Sequence, residues 1–520
     1  MLCEPQSRVT SPFMCPPLPI LMQFIYRFTW RPNPIKPPPR IVKTSALEEE
    51  LHSLLKVIAW PLPPVRANLQ FSTHPQTSAF SIIHPRATYV VGEKLEVLVT
   101  AKDHRGRLKS YGGDFFYAKL HSPSMKAAVS GLVTDHHNGS YTASFILQWP
   151  GETMVSIKLV HSSEAIAILH EKRATRPDKF FFHGYFIKNG TEEVVECNVD
   201  LPEDDVCEYY NEHYEERWVC QRPKTLPCDS YRDHSSGGVR DVFTEEEQEF
   251  LTENLIGQEI SSTVKNLNVL LQNNIRPVHR PCSPGLQTRH PSGFYYQDVW
   301  ISLLCSNQHF YGNNVAKCLS GKMIYMFGDS TLRGWWEHLV RNVPTLVKIS
   351  LHVPQHPGPL LATDAEHDYL VHFRAHQKPL RMERTRVEEL HYMAEELDGL
   401  GAREGMVIVL TCWAHFSTYP IEVYIHRLWH IRKAVTRLLE RSPDTKIFIK
   451  SANTGHDFVL VNDWLSYQMD LVMRAMFSEL PVTILDVWEM TSCHRQPEFL
   501  HPEWNVVKNE VDLMLSFLCP

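Results

Sequence analysis

The hydrophobic pattern changes period along the chain, and this change constrains the fold more than any other sequence feature. From about Thr73 to His161, apolar and polar residues alternate, as in Leu95, Val97, Val99 and Ala101. Short strands of this kind, separated by Gly, Pro and Asn, predict a small β-sandwich of immunoglobulin-like build. From about Gln297 onward strand and helix patterns alternate, which predicts an α/β domain with a parallel sheet.

Apolar runs locate the strands and helices of this second region. We expect strands at residues 322–327, 406–410, 446–450 and 482–487. We expect helices at residues 331–343, 421–441, 464–480 and 503–518. Ligands of such sheets bind outside the carboxyl ends of the strands, so a functional site is expected at that edge.

The predicted fold class is therefore multidomain. We divide the 520 residues into a proline-rich N-terminal segment with a short helix (1–72), a β-sandwich (73–175), a cysteine-containing connector (176–296) and an α/β domain (297–520). Within the connector, Thr244-x-x-Glu247 is a capping box that predicts a helix running towards Ile260.

Charge and apolar content exclude some classes of function. The 52 Lys and Arg against 59 Asp and Glu give a net charge of −7 with no basic block, so nucleic acid is not expected as a partner. No stretch reaches the 18 or more apolar residues of a membrane-spanning helix. The shorter apolar segment Leu18–Tyr26 is interpreted either as a weak signal-peptide core or as a buried segment.

Cysteines and glycosylation sequons indicate an oxidising compartment. Four cysteines lie in a Glu- and Tyr-rich stretch, at Cys197, Cys207, Cys220 and Cys228. Their spacing contains no C-x-x-C pair, which favours disulfides over a zinc site. Asn138-Gly139-Ser140 and Asn189-Gly190-Thr191 are acceptor sequons. We expect a protein of the secretory pathway, in the Golgi lumen or secreted, and we identify no metal site.

A candidate nucleophile follows the first strand of the α/β region. In Gly328-Asp329-Ser330, the glycine permits a tight strand-to-helix turn, and the serine meets the free N–H groups at the start of the next helix. Those N–H groups can stabilise an oxyanion. The alternative interpretation is that Asp329 and Ser330 only cap the helix.

A candidate base lies near the end of the chain, between the last strand and the last helix. A serine hydroxyl needs a base to take its proton and a carboxylate to compensate the charge of that base. His501 is the predicted base, and Glu498 of Glu498-x-x-His501 is the predicted acid. Asp486 is the rival acid, and its alternative role is structural.

These motifs resemble a known family. The pair Gly328-Asp329-Ser330 and Glu498-x-x-His501 is similar to the PC-esterase group of the GDSL/SGNH hydrolases. With the preceding β-sandwich and the run Tyr111–Phe115, the chain is identified as a member of the neurexophilin and PC-esterase domain family. Further marks of the resemblance are Phe327–Trp335, Ala414-His415-Phe416, Tyr419-Pro420 and Arg441–Thr445. The resemblance implies an O-acetyltransferase or O-acetylesterase acting on a glycan or glycoprotein, with acetyl-CoA as the donor and sialic acid as the most plausible acceptor.

Two departures from the family pattern concern the site itself. The related hydrolases carry Asp where this chain has Glu498, and they place an oxyanion-stabilising Asn where this chain reads Thr411–His415. His415 is a substitute donor, or else backbone N–H groups act alone. Arg333 is either a contact for an anionic substrate or a salt-bridged helix residue.

Other residues near this edge have two interpretations as well. Trp335, Trp336, Trp413 and Tyr419 either stack on a sugar or belong to the core, and Cys412 is expected to be a buried free thiol. Two functions remain open at this point. The first is acetyl transfer or hydrolysis through Ser330; the second is an inactive secreted protein that binds an extracellular partner through its β-sandwich, as neurexophilins do.

Overall fold

The computed structural model describes residues 45–64, 68–262, 266–271, 280–286, 289–455, 462–495 and 499–520. Its first part contains two helices and eight strands: α1 (Ser45–Val57), β1 (Ala79–Ile82), β2 (Tyr89–Val90), β3 (Lys94–Thr100), β4 (Phe115–Ser122), β5 (Ala127–Ser130), β6 (Leu132–Asp135), β7 (Ser140–Ile146), β8 (Gly151–His161) and α2 (Ser163–Thr175).

The middle of the chain forms mostly short strands. They are β9 (Phe180–Lys188), β10 (Thr191–Asn198), β11 (Val206–Asn211), β12 (Glu216–Gln221) and β13 (Tyr231–Val239), then helix α3 (Glu245–Gln248), then β14 (Gln258–Glu259), β15 (Ser261–Ser262), β16 (Leu267–Leu270), β17 (Gly293–Tyr296) and β18 (Val299–Ser302).

The last part alternates between strands and helices. Its elements are α4 (Asn313–Leu319), β19 (Met323–Gly328), α5 (Ser330–Asn342), β20 (Val347–Ile349), β21 (Leu360–Asp364), β22 (Tyr369–Ala375), β23 (Thr385–Arg386), α6 (Met393–Gly399), β24 (Met406–Leu410), α7 (Ile421–Arg441), β25 (Lys446–Lys450), α8 (Asp463–Phe477), β26 (Thr483–Leu485), α9 (Val487–Cys493) and α10 (Trp504–Leu518).

Two sheets face each other in the N-terminal sandwich. One has the strand order β15-β1-β3-β7-β6, and the other has the order β18-β17-β5-β4-β8-β16-β2. Buried side chains from both sheets, such as Val97 and Tyr141 on one and Leu120 and Ile157 on the other, form a common core. The alternating pattern of β3, β7 and β8 arises because one face of each strand meets this core.

The sandwich contains more of the chain than residues 73–175. Strand β15 pairs with β1, β16 pairs with β8, and β17 pairs with β5. All three come from the segment predicted as a connector. They are two to four residues long, which is too short for a hydrophobic period to reveal them.

The remainder of the connector builds a third sheet, with the order β11-β12-β10-β9-β13-β23. The capping box of Thr244 and Glu247 is present. The helix it opens ends at Gln248 and does not run towards Ile260 as predicted, because a 3₁₀ turn follows and Gly257 takes a left-handed φ of +67°.

The C-terminal sheet has seven strands in the order β20-β21-β22-β19-β24-β25-β26. The five strands from β22 to β26 in this order are parallel, whereas β20 and β21 join antiparallel at one edge. Ile408 packs with residues of α7 and α8, and its neighbour Val409 packs with residues of α5 and α10. The sheet therefore carries helices on both faces, and the whole chain is a β-rich multidomain protein.

The described residues contain four disulfides, which stabilise the fold. Cys197–Cys220 and Cys207–Cys228 confirm that the clustered cysteines form disulfides, and Cys282–Cys305 and Cys318–Cys519 add two further bonds. Four disulfides fit an extracellular or secretory-pathway protein. Within the described ranges, no helix has the length and apolar content needed to cross a membrane.

Candidate active site

The turn between β19 and α5 presents Ser330 at the carboxyl edge of the parallel sheet. Gly328 ends β19, and a Cβ at this position would lie 2.6 Å from the Thr411 carbonyl oxygen. Only glycine therefore allows this close approach to the chain that follows β24. Ser330 is partly buried and is the first residue of α5, where backbone N–H groups have no partner within the helix.

Asp329 is the N-cap of α5 and is completely buried. Its Oδ1 accepts hydrogen bonds from the Thr331 backbone N–H at 2.9 Å and from the Thr331 hydroxyl at 2.7 Å. Its Oδ2 accepts a longer bond of 3.4 Å from the Ala414 N–H. The carboxylate therefore fixes the start of α5 against the loop after β24, so Asp329 does cap the helix, and Ser330 remains partly accessible beside it.

The structure brings Ser330 and His501 together across 171 residues of sequence. The Ser330 Oγ lies 3.3 Å from the His501 Nε2, close to the distance at which an imidazole takes a serine proton. His501 reaches the surface, but the protein around its ring displaces part of the surrounding water; this desolvation lowers the pKa of His501, an effect that the charge of Asp329 partly opposes. His501 is therefore neutral at pH 7, which is the form that accepts a proton.

The loop that carries His501 rests on the loop that follows β25. The Asn453 side-chain amide donates a hydrogen bond of 3.0 Å to the Leu500 carbonyl. A Cβ on Gly455 would lie 2.8 Å from the Leu500 nitrogen, so glycine is required for the contact. Sequence analysis missed both residues. Their position directly after a predicted strand, at the same edge as Ser330, was the available signal.

Two further histidines line this edge. His376 follows β22 and donates its backbone N–H to the Gly328 carbonyl at 2.9 Å, and its ring centroid lies 5.0 Å from that of His415. Burial lowers the pKa of His376 to about 4 and that of His415 well below its ordinary value. Within the described part of the chain, His376 Nε2 and His415 Nδ1 are buried without a hydrogen-bond partner. Buried polar atoms of this kind are rare and call for an explanation.

Two arginines place positive charge near these rings. Arg333 Nε donates to Glu337 Oε1 at 3.2 Å, so the salt-bridged interpretation describes its contact here, and an anionic ligand for Arg333 stays a prediction. Arg381 donates to the Ala414 carbonyl at 3.3 Å, and burial lowers its pKa. Both guanidinium groups contribute to the lowered pKa of His415. Sequence analysis missed Arg381 and His376, because no strand was predicted beside them.

The structure confirms the core interpretation of the four aromatic residues that follow the strand ends. Trp335 donates its indole N–H to Glu510 inside the core, and Trp336, Trp413 and Tyr419 are buried as well. Phe499 and Trp504, which flank His501 in sequence, are instead 44% and 41% exposed, and the Trp504 ring stacks on His338. Cys412 is a buried free thiol as expected, and burial raises its pKa to about 12.

Several predicted residues lie elsewhere. Glu498 falls outside the described residues, so its place beside His501 stays a prediction. The rival acid Asp486 is buried, caps α9 and pairs with Arg474 Nη2 at 3.0 Å, which is a structural role. The sequon residues Asn138 and Asn189 are exposed, each in the turn of a hairpin.

Comparison with solved structures gives only distant likenesses. A Lin-41 filamin domain covers 16% of this chain and 80% of its own at 20% identity, with a TM-score of 0.14. The match to the Escherichia coli adhesin FdeC covers 40% of this chain and 67% of the adhesin chain at 14% identity, with a TM-score of 0.15. The match to a putative glycoside hydrolase from Bacteroides vulgatus covers 80% of this chain and 59% of the hydrolase chain at 10% identity, with a TM-score of 0.17. Scores this low carry no argument about fold.

Two family models match the chain in separate regions. Residues 47–247 match the model described as Neurexophilin. Residues 300–519 match the model described as NXPE family member 4-like, C-terminal domain. The first match includes most of the sandwich, and the second includes the sheet that carries Ser330 and His501. Together the two matches support membership of the neurexophilin and NXPE family.

Proposed function

We propose that this chain moves an acetyl group onto, or off, a hydroxyl of a glycan through an acyl-enzyme on Ser330. The observation that carries the proposal is the 3.3 Å separation of Ser330 Oγ and His501 Nε2 at the carboxyl edge of a parallel sheet. A helix cap alone needs no imidazole beside the serine hydroxyl. The catalytic roles of Ser330 and His501 and the assignment to the PC-esterase class are therefore proposed together.

The first step forms the acyl-enzyme. Ser330 Oγ attacks the carbonyl carbon of the acetyl thioester in acetyl-CoA, while its proton passes to His501 Nε2. The oxyanion accepts hydrogen bonds from the Ser330 backbone N–H and from His415 Nδ1, in the neutral tautomer that carries its proton on Nδ1. The C–S bond then breaks, and the leaving thiolate takes the proton from His501.

The second step returns the serine. A hydroxyl of the acceptor gives its proton to His501 and attacks the acetyl carbon. The bond between that carbon and Ser330 Oγ then breaks, Ser330 takes the proton back from His501, and an O-acetyl ester is left on the acceptor. Water in place of the sugar gives hydrolysis by the same groups, and an O-acetyl glycan in place of acetyl-CoA makes the chain an esterase. Glu498 is the acid that we propose for compensating the charge on His501.

The surroundings of the site are consistent with a sialic acid acceptor. Arg333 and Arg381 supply positive charge for a carboxylate, because the guanidinium fork matches a carboxylate in a bidentate pair. Phe499, two residues before His501, is exposed and offers an aromatic face to a sugar ring, whereas the Trp504 ring already contacts His338 and Arg341. A glycan acceptor also agrees with residence in the Golgi lumen or outside the cell, which the disulfides support.

The second candidate function is binding of an extracellular protein through the sandwich. The observation that favours it is the Neurexophilin match, which includes most of the sandwich and does not reach Ser330. In this case the C-terminal sheet acts as a scaffold, and acetyl-CoA is not consumed.

The test is acetyl transfer by the purified full chain. We expect transfer from acetyl-CoA to a sialylated glycoprotein, measured by mass spectrometry of the released glycans, and loss of transfer in Ser330→Ala. The matched control is Ser478→Ala, at an exposed serine that follows α8 in the same domain. Equal product from Ser330→Ala and the wild type contradicts the proposal. Absence of transfer and of esterase activity in both proteins favours the binding function.

A further inference from the structure

A cluster of three potential metal ligands lies away from Ser330, between the third sheet and helix α7. Glu215 stands in the turn between β11 and β12, and His426 and His430 stand on α7. The Glu215 Oε2 is 3.4 Å from His426 Nε2 and 4.0 Å from His430 Nε2. One ligand atom from each of the three residues lies within 4.8 Å of the other two.

The local structure explains this convergence. Residues four apart on a helix lie on the same face, so the rings of His426 and His430 lie side by side with centroids 4.8 Å apart and planes tilted by 57°. Glu215 takes a left-handed backbone conformation with φ of +50°, which is uncommon outside glycine. The β11–β12 turn thereby brings a carboxylate to the two imidazoles from a separate element.

One ligand atom has no hydrogen-bond partner among the residues that the structure describes. His430 is 4% exposed, and its Nε2 makes no hydrogen bond to the described residues. Its separation of 4.0 Å from Glu215 is too long for a hydrogen bond. An unsatisfied buried nitrogen destabilises the fold, and a bound ion would supply the missing partner. Tetrahedral zinc with bonds of about 2.0–2.1 Å sets its ligand atoms about 3.4 Å apart, close to the spacing seen here.

The neighbouring cations have partners of their own. Arg427 forms a buried ion pair with Glu216, and Arg437 pairs with Asp398 at 2.5 Å. Lys433 lies over the Trp429 ring, 4.6 Å from its centroid. Neither arginine therefore pairs with the Glu215 carboxylate. Lys433 interacts with this carboxylate electrostatically, but Glu215 Oε2 still faces the two imidazoles.

We propose that Glu215, His426 and His430 bind one Zn²⁺. Two imidazoles and one carboxylate form a known zinc ligand set, with a water molecule in the fourth position. Glu215 and His426 have side chains that are 25% and 28% exposed, which gives the ion a path from solvent. The bound ion ties the β11–β12 turn to α7, beside the Arg427–Glu216 pair.

Sequence analysis identified no metal site, because Glu215 lies 211 residues before His426 and no short motif joins them. Two histidines at this spacing on a helix are common without a metal. The third ligand is visible only when the hairpin and the helix are placed together.

The test uses the full chain, prepared without a polyhistidine tag and stripped with a chelator. We expect calorimetric titration with ZnCl₂ to show one high-affinity site and zinc to raise the midpoint of thermal unfolding. Glu215→Gln and His426→Gln should each weaken binding at least about a hundredfold, since even groups that only orient ligands cost 10–100-fold. Both variants should also lose the zinc-dependent rise in the midpoint.

The matched control is His52→Gln, at an exposed histidine of helix α1. This variant should bind zinc as the wild type does. The partly exposed Glu215 and His426 decide the test, because replacement of the buried His430 risks a folding defect. Wild-type affinity retained in both Glu215→Gln and His426→Gln overturns the proposal, as does absence of a stoichiometric zinc site in the well-folded wild-type chain.

Discussion

Two buried carboxylates, one in the sandwich and one at the edge of the C-terminal sheet, organise clusters that differ in how completely they are hydrogen-bonded. In the sandwich, Asp114 Oδ2 accepts hydrogen bonds from the Thr73 hydroxyl at 2.8 Å and the Tyr141 hydroxyl at 2.9 Å. Its Oδ1 accepts the Ser163 backbone N–H at 2.8 Å. Both oxygens of this carboxylate are satisfied inside the protein.

The neighbours of Asp114 are equally well paired. Lys109 forms a buried ion pair with Glu164, which also accepts a hydrogen bond from the Tyr111 hydroxyl. The Lys109 ammonium donates a further bond of 2.8 Å to the Phe71 carbonyl. A Cβ on Gly113 would lie 2.3 Å from the Pro61 carbonyl oxygen, so this glycine allows a close packing contact. The run Tyr111–Phe115, which marks the family resemblance, therefore serves the architecture.

In the cluster around Asp329, the carboxylate has hydrogen-bond partners, but the histidines near it do not use all of their ring nitrogens. His376 Nε2 and His415 Nδ1 lack partners among the described residues, and Ser330 and His501 reach the surface. A closed polar network specifies one structure, whereas an open one is available to a ligand. Substitutions in the cluster around Asp114 should therefore change stability, and substitutions in the cluster around Asp329 should change activity.

The largest effect is expected at the open cluster. His501→Gln should reduce acetyl transfer at least about ten-thousandfold, because the serine then has no base. The midpoint of thermal unfolding should stay unchanged, since the ring is exposed. Steady-state kinetics and calorimetry measure the two quantities, with His52→Gln as the control. A variant that keeps more than a tenth of the activity contradicts the assignment of His501.

The closed cluster should show the reverse behaviour. Lys109→Met leaves Glu164 buried without its cation, which should lower the free energy of unfolding by about 3–5 kcal/mol. Lys94→Met, at an exposed pair with Glu96, should cost at most about 1 kcal/mol. Urea unfolding measures both variants. Activity per folded molecule should stay normal in both, and a loss in Lys109→Met would erase the distinction between the clusters.

His415 tests whether the unpartnered ring atoms serve a ligand. His415→Ala should reduce kcat about a hundredfold or more with a smaller change in KM, because an oxyanion donor acts mainly in the transition state. A purely structural His415 would instead change the unfolding midpoint and leave kcat per folded molecule intact. Kinetics beside calorimetry separates these outcomes.

The pH dependence of stability should also distinguish the clusters. The pKa of His376 is about 4 in the folded state and near its ordinary value of 6.5 when unfolded. The unfolded state therefore binds the extra proton first, and stability is lost as pH falls from 6.5 towards 4. By pH 5 this amounts to about 2 kcal/mol, which His376→Asn should remove. An equal loss in the wild type and this variant between pH 7 and pH 5 contradicts the prediction.

Asp114 should respond with the opposite sign. Burial raises its pKa to about 6, so the folded state binds its proton before the unfolded state does. This group therefore costs stability as pH rises from 3.8 to 6, and acidification relieves that cost. Acidification therefore destabilises the fold through His376 and stabilises it through Asp114. Because the two effects partly cancel in the wild type, each has to be measured in a variant that removes only one of the two groups.

The smallest effect is expected at the exposed aromatic beside the site. Phe499→Ala should raise KM for the glycan about two- to tenfold and leave kcat unchanged, because stacking contributes about 0.5–1.5 kcal/mol to binding. Initial rates at varied acceptor concentration measure this change. The exposed Tyr311 provides the control, as Tyr311→Ala should leave KM unaltered. Unchanged KM in Phe499→Ala removes this residue from the acceptor site.

Sequence reasoning located the elements that have strong, continuous apolar patterns. The predicted ranges of β24, β25 and α7 coincide with those in the structure, because each element is buried along its length or along one face. Strands β20 to β22 were not predicted, and His376 was missed with them. Strands β14 to β18 are too short to show a period, so the extent of the sandwich was underestimated.

The candidate site was predictable in part, for a physical reason. Ser330 and His501 each follow an element with a clear pattern, and the topology of a parallel sheet places such ends on one edge. Asn453 and Gly455 act by supporting the His501 loop, and nothing in their sequence context specifies which loop they contact. The ligands Glu215 and His426 depend on a hairpin meeting a helix, which no local pattern encodes.

The most direct test of the central claim is detection of the acyl-enzyme. Incubation of the purified chain with acetyl-CoA and no acceptor, followed by acid quenching and peptide mass spectrometry, should show an acetyl ester on Ser330. The ester should be absent from Ser330→Ala and should disappear when a sialylated acceptor is added before quenching. The contradicting result is transfer to the acceptor at the wild-type rate by Ser330→Ala, with no acetyl group on Ser330 of the wild type under any quench time.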